Sequence, residues 1–324
     1  MTDNKEKIMK VLFAAPENAW GGILQKFREA HPEIDFTASG AYAAESLAGY
    51  DVLIPTMADI DAELLATADS LKLIQQMGAG LEGIDMAAAA SRGIQVANVP
   101  AGASPNADSV AELGIFLMLG LARRAWLIDE NLQEGRLGRP MGITLQGKTV
   151  GLIGLGDIGQ ALLRRLRAFN VRLIGIKARP PASGFAEEHG LDWVGVTGQL
   201  PELLAEADFI VLSLPDNENT HGLFNRETFS LMRRGAMLIN LGRGGVVDHD
   251  GLLEALRDGT LGGAGLDVFW QEPPDPQDPV FGCNVIATPH IGGMTEDSLE
   301  GIFQRVSDNL RRLQDGRELL FRKV

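Results

Sequence analysis

The residues Gly154 to Gly159 read Gly-Leu-Gly-Asp-Ile-Gly, and their surroundings constrain the fold more than any other feature of the chain. Directly before them stands the apolar run Thr149-Val150-Gly151-Leu152-Ile153, which has the length of a buried strand. Directly after them, Gln160 to Phe169 carries a helical pattern. A glycine-rich hexapeptide alone says little. Between a buried strand and a helix, each glycine has a mechanical role. Gly154 permits a tight turn, Gly156 lets the backbone approach a pyrophosphate, and Gly159 allows the helix to pack closely on the strand. An anion placed there meets unpaired N–H groups and the positive end of the helix dipole. The expectation is a dinucleotide-binding turn in an open, parallel α/β sheet.

The same alternation runs through most of the chain. In the first hundred residues, strand-like runs at Lys10 to Ala15, Asp51 to Pro55, Leu71 to Gln75 and Ile94 to Val99 alternate with helical ones at Gly22 to Ala30 and Asp61 to Ala68. Asn98, Pro100, Gly102 and Pro105 then break the pattern, and a domain crossing is placed there. From Gly147 the rhythm restarts, with strands expected at Thr149 to Ile153, Arg172 to Ile176, Phe209 to Leu214, Met237 to Asn240, Gly263 to Val268 and Val285 to Ala287. A helical stretch, Glu296 to Leu313, closes the sequence. With 324 residues and 45% hydrophobic content, there is material for two cores.

Composition narrows the function. A net charge of −14 disfavours attraction to nucleic acid or an anionic membrane surface. The single cysteine, Cys283, cannot form an intrachain disulfide and reads as structural, in keeping with a reducing, cytoplasmic setting. Met-Thr-Asp-Asn-Lys-Glu-Lys at the N-terminus lacks the apolar core of a secretory signal. Leu113 to Ala122 is too short for a membrane span, which needs about 20 apolar residues. Ser109 to Arg124 reads as one helix, apolar nearly all round, and a homodimer interface is expected along it. No metal is expected.

The strand after the glycine turn ends Ile176-Lys177-Ala178-Arg179. An acidic residue near this point would hold the ribose 2′-hydroxyl of NAD and repel a 2′-phosphate. Lys177 and Arg179 could pair with that phosphate instead, so NADP(H) is favoured over NAD(H). Further on, Arg243, Glu272 and His290 each follow a strand-like run, at the carboxyl ends where open α/β sheets bind ligands. A guanidinium at Arg243 can grip a carboxylate bidentately and polarise the adjacent carbonyl. His290 can act as acid and base near neutral pH, and a carboxylate such as Glu272 could orient its ring. Spacing alone does not pair these residues.

Taken together, Met-Gly-Ala-Gly-Leu-Glu-Gly-Ile-Asp at Met77 to Asp85, Asn-Val-Pro-Ala-Gly-Ala, Ser-Val-Ala-Glu-Leu, the glycine turn, Asn-Leu-Gly-Arg-Gly-Gly-Val-Val-Asp, Gly-Leu-Asp-Val-Phe and Thr-Pro-His-Ile-Gly-Gly give a chain that resembles the D-isomer-specific 2-hydroxyacid dehydrogenases over nearly its whole length. The resemblance implies two doubly wound parallel-sheet domains, a Rossmann cofactor domain (residues 104–293) inserted in a flavodoxin-like substrate domain (residues 1–103 and 294–324), with the active site in the cleft between them. It implies that Arg243 binds the carboxylate and carbonyl of a small 2-oxo acid, that His290 exchanges a proton with its oxygen, and that Glu272 supports His290. The backbone amides of Ala79 and Gly80 would hold the substrate carboxylate. Asp267 would contact the nicotinamide amide, and Asp157 and Ile158 would meet the pyrophosphate. The product would be a D-2-hydroxy acid, with glyoxylate and hydroxypyruvate the first expectations and no further C-terminal regulatory domain. Leu81 would suit a small or modestly apolar substrate, and Trp270 would either wall the pocket or cover an apolar surface. Two rivals stand beside this reading: a formate- or phosphite-type dehydrogenase, which Glu272 in place of a glutamine disfavours, and a dinucleotide-sensing, corepressor-like binding protein that performs no turnover.

Overall fold

The computed structural model describes residues 8–324. The polar N-terminal segment Met1 to Lys7 lies outside the described residues. The chain divides into two compact units, one comprising the residues up to Asn106 together with Met294–Val324, the other Ala107–Gly293.

The first unit holds a parallel sheet of β1 (Lys10–Phe13), β2 (Asp35–Ala38), β3 (Val52–Ile54), β4 (Leu73–Gln75) and β5 (Gln95–Ala97), in the order β2-β1-β3-β4-β5. This is the flavodoxin-like doubly wound order, in which the chain leaves β1 in one direction and returns on its other side. The side chains of each central strand alternate between two apolar layers. Val11 and Phe13 join one cluster with Val52, Ile54 and Phe27, whereas Leu12 joins another with Leu53, Ile74 and Leu65. Both faces are therefore covered, which is why these strands read as unbroken hydrophobic runs. The C-terminal helix, Glu296–Gln314, supplies Ile302, Val306 and Leu310 to the first layer. Each such side chain contributes about 1.5–3 kcal/mol by burial.

The second unit holds a parallel sheet of β6 (Thr149–Ile153), β7 (Arg172–Lys177), β8 (Trp193–Val196), β9 (Phe209–Leu212), β10 (Ala236–Asn240), β11 (Leu261–Leu266) and β12 (Val285–Ala287). Their order, β12-β11-β10-β9-β6-β7-β8, reverses between β6 and β9, so the carboxyl end of β6 is the switch point of a Rossmann-type sheet. The helix Asn106–Ala122 lies on this sheet at close range. A Cβ at Gly114 would stand 2.6 Å from Leu241, one at Gly120 would stand 2.7 Å from Ile286, and one at Gly265 would meet Leu117 at 3.0 Å. Its other flank leaves Phe116 and Leu119 exposed. Among the described residues no helix is long and apolar enough to cross a membrane.

β2 and β8 are missing from the sequence reading. Each is an edge strand with half-exposed residues, so neither carries a continuous apolar run.

Candidate active site

All five residues of β6 are buried, and the strand runs directly into Gly154. This glycine adopts φ +96°, and a Cβ there would stand 2.6 Å from the carbonyl oxygen of Ser213, whose hydroxyl donates to Gly154 O at 2.8 Å. A Cβ on Gly159 would lie 2.2 Å from that same Gly154 oxygen. The turn and the helix Asp157–Leu166 can approach this closely only as glycines. Gly156 differs: nothing lies within 4 Å of where its Cβ would point, so its backbone faces open ground at the helix N-terminus. The first turn of a helix presents N–H groups that have no intrahelical acceptor, and behind an open glycine these make a cradle that fits a pyrophosphate. Asp157 and Ile158 are the first residues of the helix. Lys177 ends β7 with its ammonium 3.8 Å from the centroid of the Phe185 ring, and Arg179 is exposed beyond it.

At the carboxyl end of β10 the chain makes the turn that carries Arg243. Buried Asn240 shapes it: the side-chain carbonyl accepts from Gly242 N–H at 3.0 Å, and the amide donates to Arg243 O at 2.9 Å. The turn is pressed against its neighbours. A Cβ on Gly242 would meet Leu214 O at 2.4 Å, and one on Gly244 would meet Phe269 O at 2.0 Å. The Arg243 turn and the segment leading to Glu272 are therefore in direct backbone contact.

Glu272 and His290 form a pair, with Nδ1 of the ring 2.6 Å from Oε2 of the carboxylate, while Oε1 accepts from Phe269 N–H at 3.1 Å. Burial disfavours ionisation of Glu272. The His290 hydrogen bond and charge, the Phe269 N–H and the charge of Arg243 together outweigh it and hold the carboxyl below its ordinary value. His290 itself sits at φ +54°, a left-handed conformation uncommon outside glycine. Such strain persists only where the surroundings over-determine it. Asp267, 3% exposed, does so from the end of β11: Oδ1 accepts from Thr288 Oγ1 at 2.7 Å and Ile291 N–H at 2.8 Å, and Oδ2 accepts from Gly292 N–H at 2.9 Å. Burial raises the carboxyl of Asp267 despite these bonds. Both of its oxygens are thus committed to the His290 segment, a function the sequence reading did not assign.

A carboxylate beside a histidine does not by itself mark a site. His221 pairs with Asp216 at 3.1 Å, and His249 lies between Asp250 at 2.9 Å and Asp278 at 3.0 Å. What separates His290 is the strained backbone, the buried Asp267 beneath it and the charge of Arg243 beside its partner. Trp270 covers apolar surface, donating its indole N–H to Val247 O at 2.6 Å and standing edge-on to His249. Cys283 packs against the core of the unit. Among the described residues no group of three or more His, Cys, Asp or Glu side chains is placed to hold a metal ion.

Ala79 and Gly80 belong to the other unit, in the loop after β4. Asn98 Nδ2 donates to Ala79 O at 2.7 Å, and Val99 N–H to Gly78 O at 3.1 Å. The same loop is tied to the end of β3 by Gln76, whose amide donates to the carbonyl of Thr56 at 3.0 Å. Leu81 packs on the apolar layer below.

Asn240 and the clamp role of Asp267 went unread in the sequence. The signal for Asn240 was available, since an asparagine two residues before a glycine is a common side-chain-stabilised turn. The role of Asp267 had no local signal, because its partners lie more than twenty positions away.

A family model described as the NAD-binding domain of D-isomer specific 2-hydroxyacid dehydrogenases matches residues 115–292. The chain is 36% identical to a glyoxylate reductase of Thermococcus litoralis over 277 residues, which is 82% of this chain and 81% of that one. It is 36% identical to a D-3-phosphoglycerate dehydrogenase of Methanocaldococcus jannaschii over 275 residues, 84% of this chain but 51% of that one, so the match spans about half the length of that relative. A solved structure of a Thermus thermophilus protein is similar with a TM-score of 0.82 and 34% identity, covering 98% of this chain and 100% of that one.

Proposed function

The chain belongs to the D-isomer specific 2-hydroxyacid dehydrogenase family, and we propose that it reduces a small 2-oxo acid to a D-2-hydroxy acid, with glyoxylate and hydroxypyruvate as the substrates to try first. The observation that carries this reading is the 2.6 Å pairing of His290 with Glu272 on a strained backbone, beside the turn of Arg243.

A bound nicotinamide dinucleotide supplies the hydride donor or acceptor. The protein's own side chains do the rest. Arg243 grips the substrate carboxylate and draws electron density from the neighbouring carbonyl, so that negative charge developing on its oxygen is stabilised. With Nδ1 bonded to Glu272, the proton in play is the one on Nε2 of His290, and this nitrogen delivers it to the forming alkoxide. Glu272 fixes the ring's orientation and balances its charge before transfer. Ala79 and Gly80 offer amide N–H groups to the substrate carboxylate. Gly154, Gly156, Asp157, Ile158 and Gly159 form the pyrophosphate turn. Lys177 and Arg179, with no carboxylate at the end of β7, favour the 2′-phosphate of NADPH over NADH.

A homodimer completes the reading. Phe116, Leu119, Ile128, Leu132, Leu137 and Met141 are all exposed along the helix Asn106–Ala122 and the segment after it. Large exposed apolar side chains that follow one another so closely along the chain are the kind that a second copy covers.

The test is steady-state oxidation of NADPH and NADH against glyoxylate, hydroxypyruvate, pyruvate and a phosphorylated 2-oxo acid, with the His290→Ala variant as control. NADPH-linked turnover of a small 2-oxo acid that is lost in the control supports the reading. A preference for the phosphorylated acid would move the substrate towards that of the 3-phosphoglycerate dehydrogenases. Dinucleotide binding with no turnover on any pair would favour the sensing protein instead.

A further inference from the structure

Lys177 does not extend freely into solvent. Its ammonium lies 3.8 Å from the centroid of Phe185, and the Phe185 ring is stacked at 4.1 Å and 15° on the imidazole of His189. Two groups this close to one ring occupy its opposite faces, so Phe185 is sandwiched. The column is anchored at its far end. His189 Nδ1 lies 3.0 Å from Phe185 O, and Nε2 lies 3.4 Å from Oε1 of Gln160. Gln160 is the residue directly after Gly159 and donates to Leu155 O, inside the phosphate turn, at 3.2 Å. The last residue of β7 is thereby linked through aromatic contacts to the turn that cradles the pyrophosphate.

We propose that Phe185 is a specificity-determining positioning residue: it holds the Lys177 ammonium at the end of β7, where a ribose 2′-substituent arrives, and so sets the preference for a 2′-phosphorylated adenosine. The inference rests on the NADPH reading above. A lysine at an exposed strand end ranges over many rotamers, and ordering it against an anion costs most of that freedom. On the Phe185 face the side chain is already confined. The ring attracts the cation through its quadrupole and consumes none of the donor directions that point away from it. A phosphate approaching from solvent then meets N–H groups in place, while Arg179 reaches it from the next loop. Phe185 touches no phosphate in this arrangement, and its effect passes through Lys177.

Isothermal titration of the full chain with adenosine 2′,5′-bisphosphate and with adenosine 5′-monophosphate isolates the 2′-phosphate without turnover. In the Phe185→Leu variant the affinity ratio between the two ligands is expected to fall by about 3- to 10-fold, the size of one partly exposed cation–π contact. Monophosphate binding should be unchanged, and Phe185→Tyr should restore the ratio. Adding Phe185→Leu to Lys177→Gln should have no further effect, because the coupled partner is gone. A wild-type preference for the bisphosphate that persists unchanged, or rises, in Phe185→Leu overturns the inference and leaves the NADPH reading standing. Equal weakening of both ligands would make Phe185 a packing residue only and overturn the inference as well. No preference in the wild-type protein would overturn the NADPH reading, and this inference with it.

Discussion

At His290 the backbone stands at φ +54°, held there by the carboxylate oxygens of Asp267 and the turn they close. The imidazole is then presented to Glu272, whose carboxyl lies below its ordinary value of 4.5. Replacing Glu272 by Gln keeps the shape and removes the charge. kcat/KM for the reduction should fall about 100-fold or more, as for loss of a general acid's partner, while binding of the dinucleotide is retained. The pair also has a pH signature. A carboxyl with a lowered native value contributes stability above its unfolded value, and that contribution is lost as pH falls through the native one. The difference in Tm between wild type and Glu272→Gln should therefore be largest near pH 7 and shrink towards pH 3. His249 has the opposite sign. Burial lowers it, but hydrogen bonds and charges from Asp250 and Asp278 outweigh that and raise it above 6.5. Its contribution is complete below 6.5 and declines as pH rises through the native value, so the Tm gap between wild type and His249→Gln should narrow from pH 6 to pH 9. The residue types at Arg243, Glu272 and His290 were legible in the sequence. The strain at His290 was not, since φ depends on partners supplied by β11.

Among the elements, the loops at the carboxyl ends of β10 and β11 act as one piece because Gly244 has no side chain. A methyl group there would lie 2.0 Å from Phe269 O and 2.6 Å from Trp270 N, and backbone cannot yield cheaply. Gly244→Ala is expected to cost about 3 kcal/mol of stability, the upper range for forced overpacking. For a unit of this size Tm should fall by roughly 6–12 °C. Turnover should fall further than the lost stability explains, because the Arg243 and Glu272 segments are driven apart. A differential scan combined with initial rates well below the transition separates the two effects. An unchanged rate with a lowered Tm would show that the contact is structural alone. The glycine turn after β6 was readable as an element because strand, turn and helix are contiguous. The edge strands β2 and β8 were not, as each owes its extended form to hydrogen bonding with β1 or β7 rather than to an apolar run.

For the whole molecule, the exposed apolar stretch from Phe116 to Met141 makes the association state testable. Sedimentation equilibrium should find a dimer, and Phe116→Glu combined with Leu119→Glu should give monomers with the fold retained by circular dichroism. A monomeric wild type at micromolar concentration would remove the proposed interface. Local patterns along the chain were enough to establish the fold class, the succession of parallel strands apart from the edge strands β2 and β8, and the family, because hydrophobic runs buried on both faces and contiguous glycine motifs act over a few residues. Long-range packing was needed to reveal that Asp267 clamps the His290 segment, that Gly244 joins two loops and that Lys177 rests on Phe185. These contacts join residues brought together by the sheet's crossovers, and no local pattern encodes a partner eight or more positions away.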